Sequence, residues 1–231
     1  MLRRCLWAVL GVLFAAGLAV PQASAQGIKL GVKGGLNIAN IGGSEADSLA
    51  FLLFDADVPK KSNAGFVAGA FAEFMIGNMF AIQPEVLYSK KGVKFEESGA
   101  EVKIKVDYIE IPVLLKINIP IEGSKVHPNV YAGPAVAIKS SCKLSGSAAS
   151  VSVDVDCEGQ DIVDLTGFEI LVKSTDFGLV FGGGVSFDVG GADVGVDVRY
   201  TLGLSTIDDD PDPYDFKNQV ISIMGTVGFS R

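Results

Sequence analysis

The sequence predicts an all-β protein, an eight-stranded antiparallel up-and-down transmembrane β-barrel. The first supporting observation is a two-residue alternation over residues 193–204, where a row of Val, Tyr and Leu opposes a row of charged residues, Gly and Thr. The second is the high mean hydropathy, +0.38. The third is that no uninterrupted apolar stretch after residue 25 is long enough for a spanning helix. A closed barrel explains all three, because alternate residues of each strand then face lipid and lumen.

Eight segments of the chain carry this alternation and are predicted as strands. They are residues 28–41, 66–76, 80–89, 102–117, 130–139, 176–187, 193–204 and 220–229. Short turns at Gly77-Asn78 and at residues 188–192 join the second strand to the third and the sixth to the seventh. In the fourth strand the apolar residues change phase between Val106 and Ile109, and a β-bulge near Asp107-Tyr108 would account for the change. An even number of strands fits a single-chain outer-membrane barrel.

The connections predict which end of the barrel faces outward. The links after the second, fourth and sixth strands are short or modest, whereas those after the first, third, fifth and seventh are longer or more polar. Short turns are periplasmic and long loops extracellular in such barrels, so both termini are predicted to lie in the periplasm. Aromatic residues near the strand ends are predicted to form interface girdles, with ordinary core packing as the alternative: Phe74, Phe80, Tyr88, Phe187, Tyr200 and Phe229.

The first residues predict export. Arg3 and Arg4 precede an uncharged apolar run and the small-x-small site Ala23-Ser24-Ala25, so residues 1–25 are interpreted as a signal peptide and residues 26–231 as the barrel. A transmembrane anchor is the alternative, but residues 6–20 fall short of the roughly 20 residues that a spanning helix needs. The leader removes two of the 19 basic residues and none of the 27 acidic ones, which leaves a mature net charge of −10. This charge argues against nucleic acid as a partner.

Five segments resemble the PorT-like outer-membrane β-barrel family, whose members have an OmpA-like eight-stranded architecture. They are FAIQPEVLYSKKG (80–92), DYIEIPVLLK (107–116), YAGPAVAIK (131–139), FGLVFGGGVSF (177–187) and VDVRYTLGLSTI (196–207). The resemblance covers essentially the whole mature chain. It implies a location in the bacterial outer membrane and, through the name-giving members, a link to protein secretion. One departure is that Ser230-Arg231 follow Phe229, where outer-membrane strands commonly end on the aromatic residue.

The alternation places seven charged side chains in the lumen: Lys33, Glu73, Glu85, Glu110, Lys116, Asp197 and Arg199. An eight-stranded barrel is narrow enough for side chains to fill it, and charges confined there must be paired or solvated. We therefore expect a salt-bridged plug in which Arg199 and Lys116 bridge Glu85 and Glu110. The alternative is a selective ion path lined by charge.

The sequence does not predict an enzyme. Its one histidine, His127, is expected to be a solvated turn residue in a periplasmic link, and the chain lacks a Gly-x-Ser-x-Gly elbow, zinc-spaced His and Cys residues and a phosphate-binding Gly loop. No cofactor and no dedicated metal site are predicted.

The outer loops carry three further features. Cys142 and Cys157 are expected to form a disulfide that staples a projecting hairpin and contributes about 3 kcal/mol, with free thiols or a metal site as alternatives. Residues 208–215 have the opening spacing of a calcium loop, but Pro213 and Gln219 stand where an EF-hand needs Gly and Glu. The alternatives here are a weak divalent-cation site and a solvated acidic loop. The apolar segment 49–54 is expected to cap the barrel mouth, touch lipid or dock a partner.

Two classes of function follow from these features. The first is a structural or interaction barrel, held in outer-membrane lipid, that presents extracellular loops to a ligand, a surface or another envelope protein. The second is a narrow pore or an accessory component of protein secretion.

Overall fold

The computed structural model describes residues 27–42, 60–97, 100–148, 151–157, 172–209 and 215–230. The predicted signal peptide, the apolar segment 49–54 and the centre of the acidic loop, 210–214, lie outside these residues. Within the described residues, no helix has the length and apolar character needed to cross a membrane.

Within the described residues, nine strands form one antiparallel sheet. They are β1 (Ile28–Gly42), β2 (Lys60–Ile76), β3 (Phe80–Glu97), β4 (Ala100–Asn118), β5 (Val126–Ala148), β6 (Val151–Asp156), β7 (Thr175–Val189), β8 (Ala192–Gly203) and β9 (Lys217–Ser230). The order is β4-β3-β2-β1-β9-β8-β7-β5-β6, and pairing of β4 with β5 closes the sheet. Because β6 pairs only with the far part of β5, the barrel itself has eight strands, which confirms the predicted fold.

Three short connections lie at one end of the barrel. They span residues 77–79, 119–125 and 190–191. Gly77 and Gly190, in two of these turns, have positive φ angles of 70° and 62°. Residues with a side chain rarely adopt this backbone conformation, so glycine is favoured at both positions. Longer connections between β1 and β2, β6 and β7, and β8 and β9 lie at the opposite end. By the rule for such barrels, the end with the short turns is periplasmic and the opposite end extracellular.

At the extracellular end, part of the sheet rises above the rest. We call this part the outer wall: residues 60–62 of β2, 89–97 of β3, 100–108 of β4, 139–148 of β5, and all of β6. The prediction of a longer or more polar loop after the third strand is therefore wrong, because β3 and β4 continue as a hairpin with only residues 98–99 between them. Strand β6, which was not predicted as a strand, pairs with β5 to form the hairpin expected around the two cysteines.

The lower part of the barrel exposes apolar side chains and buries polar ones. We call its outward apolar surface the membrane band. Its most exposed members include Leu30, Val32, Leu36, Val86, Leu115, Val130, Phe181, Val196, Val198 and Ile223. Leu36 is 67% exposed, whereas the inward-facing Glu85 is 2% exposed. This arrangement is the reverse of a water-soluble protein and suits strands that contact lipid.

The outer wall has the opposite polarity. Its inward face buries Val93 and Phe95, which are 0% and 1% exposed, while Lys94 and Lys103 lie on its outward face. Strand β4 keeps its even-numbered residues inward from Ile104 onward through this change. The apolar residues therefore change faces because the surroundings change, not because β4 is kinked.

The predicted bulge occupies the expected position but belongs to the other strand. The β4–β5 register shifts between Asp107, which pairs with Ser141, and Tyr108, which pairs with Lys139. Ser140 of β5 is therefore the extra residue. The bulge near Asp107-Tyr108 is confirmed, and its assignment as the cause of the phase change in β4 is wrong.

Candidate functional site in the barrel lumen

Four buried charges meet at the centre of the lumen. Arg199 Nη2 donates hydrogen bonds to both oxygens of Glu85, at 3.0 and 2.8 Å. Lys33 Nζ lies 2.7 Å from Glu85 Oε1 and 3.2 Å from Asp197 Oδ2. The Tyr131 hydroxyl donates to the other oxygen of Asp197. The two cations and two anions balance, as charges removed from water require.

A glycine makes room for this central cluster. Tyr131 of β5, Gly182 of β7 and Arg199 of β8 are direct neighbours across the three strands. A Cβ on Gly182 would lie 2.5 Å from Tyr131 Cζ, far closer than van der Waals contact. Gly182 therefore leaves the space that the Tyr131 ring occupies between Asp197 and the guanidinium group.

A second layer of charges lies on the periplasmic side of this cluster. Lys116 Nζ is 2.8 Å from Glu73 Oε2, and Lys29 Nζ is 3.1 Å from Asp193 Oδ2. Gln83 connects the two layers, because it accepts from Lys116 at 3.2 Å and donates to Glu85 at 2.6 Å. The side chains of Lys29 and Asp193 are each 20% exposed, whereas those of Lys33, Glu85 and Arg199 are at most 2% exposed, so this layer is more accessible to water than the central one.

A third polar layer lies toward the extracellular side. Lys91 Nζ is 2.7 Å from Glu110 Oε1 and 5.0 Å from the centroid of the Tyr108 ring. Across the barrel, the buried Asp176 accepts a hydrogen bond from Asn218 Nδ2 at 2.8 Å. Its other oxygen accepts from Ser205 Oγ at 2.9 Å, so the layer combines one ion pair with one carboxylate held by two neutral donors.

The structure therefore places all seven predicted lumen charges on the inward face, but it pairs them differently. Arg199 contacts Glu85 as expected. Lys116 contacts Glu73 instead, and Glu110 contacts Lys91, which was not among the predicted lumen residues. Six residues separate Glu110 from Lys116 along β4, about 20 Å, so the two cannot share a cluster.

Apolar side chains fill the lumen above the third layer. We call this cluster the apolar seal: Ile41, Val93, Phe95, Ile104, Val106, Tyr108, Ala137, Cys142, Leu144, Cys157, Val172, Ile207 and Phe216. The outer wall supplies most of it. The remaining side is closed by the segments around residues 172, 207 and 216, where Lys173 N donates to Ile207 O at 2.8 Å and Ile207 N donates to Phe216 O at 2.8 Å.

The disulfide lies inside the apolar seal. Cys142 of β5 and Cys157, directly after β6, are bonded with their Cα atoms 5.4 Å apart. Cys157 is fully buried and Cys142 is 8% exposed. The bond therefore fixes the β5–β6 hairpin against the apolar side chains that close the lumen.

Two predictions about chemistry concern other positions. His127 lies within β5, half-buried opposite Ser186, so its assignment to a solvated turn is wrong. In the part of the chain that the structure describes, no three His, Cys, Asp or Glu side chains are grouped as metal ligands. Asp208, at the start of the acidic loop, forms an isolated β-bridge with Val172.

Comparison with known protein families agrees with this fold. Residues 22–209 match the family described as outer membrane protein beta-barrel domain. Neisserial surface protein A is similar in structure, with a TM-score of 0.44 and 15% identity over 87% of this chain and 97% of that one. OprG from Pseudomonas aeruginosa has a TM-score of 0.43 and 13% identity over 87% and 94%. Ail of Yersinia pestis, in complex with the heparin analogue sucrose octasulfate, has a TM-score of 0.39 and 14% identity over 88% of this chain and 99% of that one. No curated protein matches this chain.

Proposed function

Because the chain belongs to the outer membrane protein beta-barrel domain family and lies in the bacterial outer membrane, we propose that it is a non-conducting scaffold. In this proposal the barrel anchors the chain, and the outer wall presents a rigid surface outside the membrane. The charged lumen contributes rigidity instead of a pathway.

The observation that carries the proposal is the double closure of the lumen. At the centre, Glu85 and Arg199 are both 2% exposed and bonded to one another. Further out, the apolar seal fills the space that an ion would have to cross. An ion would have to break a buried pair, which costs about 3–5 kcal/mol, and then leave water again in the seal. Both barriers favour a closed barrel.

The resemblance to the PorT-like family supports a second candidate, an accessory role in protein secretion. A closed lumen favours docking to a secretion component over serving as its conduit. The outer wall or the periplasmic turns would then be the contact surface. Loss of protein export in a deletion strain, restored by the wild-type gene, would support this candidate, whereas unchanged export would exclude it.

Single-channel recording tests the non-conducting scaffold. The refolded mature chain is added to a planar bilayer after a heat-dependent gel shift has established that the barrel is closed. We expect a shifted band and no steady conductance. Steady conductance that changes in Arg199→Ala, but not in the surface control Lys94→Ala, would make the lumen a pathway and overturn the proposal.

A further inference from the structure

The outward face of the outer wall carries lysines in directly paired positions. We call Lys61, Lys94, Lys103, Lys105 and Lys143 the lysine belt. Lys94 pairs directly with Lys61 on one side and with Lys103 on the other, and Lys105 pairs directly with Lys143. Like charges directly opposite one another destabilise a sheet. A face selected only for solubility and stability would alternate the signs, so this arrangement points to an anionic neighbour.

The charges of the outer wall are also sorted by their distance from the membrane band. Going outward along β4, the outward-facing Asp107 comes first, Lys105 and Lys103 follow, and Glu101 comes last. Glu101 pairs directly with Glu96 of β3, so the two acids share the outermost row. At the level of the five belt lysines, the described residues include two outward acids, Asp154 and Asp156. Glu96 and Glu101 also contact Lys61, Lys94 and Lys103, so the five lysines face four acids and the belt has an excess of one positive charge in a chain whose formal net charge is −8.

The ion pairs within the outer wall do not cancel this excess. Glu96 lies 3.3 Å from Lys61 and 3.1 Å from Lys94, Glu101 lies 3.3 Å from Lys94 and 2.6 Å from Lys103, and Asp154 lies 3.7 Å from Lys105. The side chains in these pairs are 24–62% exposed. Exposed pairs of this kind bind weakly and are screened by salt. Lysine ammonium groups on flexible stems can therefore turn to an external anion.

The belt is continuous with the membrane band. Tyr88 and Ile109 form the last lipid-facing row, and in the next row Asp107 accepts a hydrogen bond from the Tyr88 hydroxyl at 2.6 Å. Going outward, toward the first residue of β4, Lys105 and Lys103 lie four and six residues beyond Ile109. With strands tilted by about 40°, this spacing places the belt about 10–15 Å beyond the last lipid-facing row. That distance lies past the acyl chains and past the roughly 5–8 Å headgroup layer of an ordinary phospholipid leaflet, so the belt is at the depth of anionic groups carried on a larger headgroup.

We propose that the lysine belt binds the phosphate and carboxylate groups on the sugar headgroups of the outer-leaflet glycolipid. The membrane band holds the acyl chains, and the belt contacts the anionic groups attached above them. The two surfaces together would fix the depth and tilt of the barrel and order a shell of glycolipid around the outer wall. This inference requires the outer wall to be extracellular. It does not depend on whether the lumen conducts.

Glycolipid binding by the mature chain in zwitterionic detergent tests the proposal. The probe is purified lipopolysaccharide with a phosphorylated core, titrated against wild type and against the variant K61Q/K94Q/K103Q/K105Q/K143Q. We expect the variant to bind at least about tenfold more weakly, and the difference to shrink at high salt. A heat-dependent gel shift like that of wild type verifies that the variant barrel is folded.

Two control variants separate the belt from charge in general. Lys125→Gln removes an exposed lysine from the periplasmic end and should leave binding unchanged. E96Q/E101Q removes the two outermost acids and should leave binding equal or tighter. The proposal would be overturned if the variant with all five substitutions bound lipopolysaccharide within about twofold of the wild-type affinity. It would also be overturned if Lys125→Gln weakened binding as much as the five substitutions do.

Other probes identify the source of the anion. Dephosphorylated lipopolysaccharide should bind wild type more weakly than the phosphorylated form. Inorganic phosphate at millimolar concentration should not displace the glycolipid, since a single anion meets only part of the belt. Binding to phosphatidylcholine vesicles as tight as to lipopolysaccharide, or full displacement by inorganic phosphate, would contradict a glycolipid headgroup site.

Discussion

The membrane band and the outer wall are built from the same strands but have opposite polarity. In β4, the inward residues Glu110 and Lys116 are charged in the lower part, whereas Ile104 and Val106 are apolar in the outer wall. The outward residues change in the opposite sense at the same point. The comparison teaches that the solvent on each side, and not the strand period, determines which face is apolar. A change of apolar phase within one strand marks the point where the strand leaves the bilayer.

The two regions are also held together differently. The lower barrel buries ion pairs such as Arg199–Glu85, whose contribution depends on each partner being present. The outer wall buries apolar side chains around a disulfide, and its ion pairs lie on the exposed surface. The same class of substitution should therefore have very different effects in the two regions.

The largest expected effect is the removal of a lumen carboxylate. Glu85→Ala leaves Arg199 and Lys33 without their shared partner, which should lower the free energy of unfolding by about 3–5 kcal/mol. Urea unfolding in detergent micelles, followed by the heat-dependent gel shift, measures the loss. The matched control is Glu96→Ala in the outer wall, where an exposed pair should change stability by less than about 1 kcal/mol. Similar losses in both variants would remove the energetic distinction between the regions.

The disulfide gives the next effect and should affect the outer wall alone. The bond closes a sequence separation of 15 residues, so Cys142→Ala/Cys157→Ala should destabilise the hairpin by about 3 kcal/mol. We expect faster proteolysis within the outer wall of this variant than within that of oxidised wild type, while the gel shift of the barrel persists. A barrel that loses its gel shift would show that the seal and the lumen fold as one unit.

The sequence predicts the membrane band better than the outer wall, for a physical reason. In the band, polar residues such as Glu85 and Arg199 alternate with apolar ones that meet lipid, so the strand faces can be predicted from the pattern. In β3 the alternation continues past Ser89, but its polarity reverses at Val93 and Phe95, and the predicted strand ended at Ser89, before the reversal. Lys91 was missed because it lies beyond that end.

The pairing of the lumen charges depends on barrel closure and could not be predicted from local patterns. Lys33 and Asp197 are 164 residues apart in sequence and meet only because β1 and β8 curve round the same lumen. The pairing of Cys142 with Cys157 was easier to predict, because two cysteines in a loop of an exported protein favour a disulfide. Its burial in the apolar seal depends on β6, which was not predicted.

A smaller effect on stability should distinguish a glycine that faces the lumen from one that faces lipid. Gly182→Ala places a Cβ against the Tyr131 ring, so we expect a loss of about 1–3 kcal/mol from overpacking. Gly225 faces lipid, and its nearest neighbour to an added Cβ is Gly34 O at 4.0 Å. Gly225→Ala should therefore be neutral or slightly stabilising. Unfolding midpoints of the two variants measured side by side test the difference. Equal losses would mean that strand conformation, and not interior space, selects glycine here.

The smallest expected effect is that of mild acid on the outer wall. Hydrogen bonds from Lys94 and Lys61 lower the pKa of Glu96 below its ordinary value of 4.5, and hydrogen bonding to Lys103 lowers that of Glu101. A lowered folded-state pKa gives a contribution that is present above the ordinary pKa and is lost as the pH falls through the folded value. Proteolysis of the outer wall should therefore be unchanged between about pH 7 and pH 5 and should rise only below about pH 4. A rise already at pH 5 that E96Q/E101Q abolishes would show that the outer wall depends on its surface ion pairs, and not on the apolar seal, for its stability.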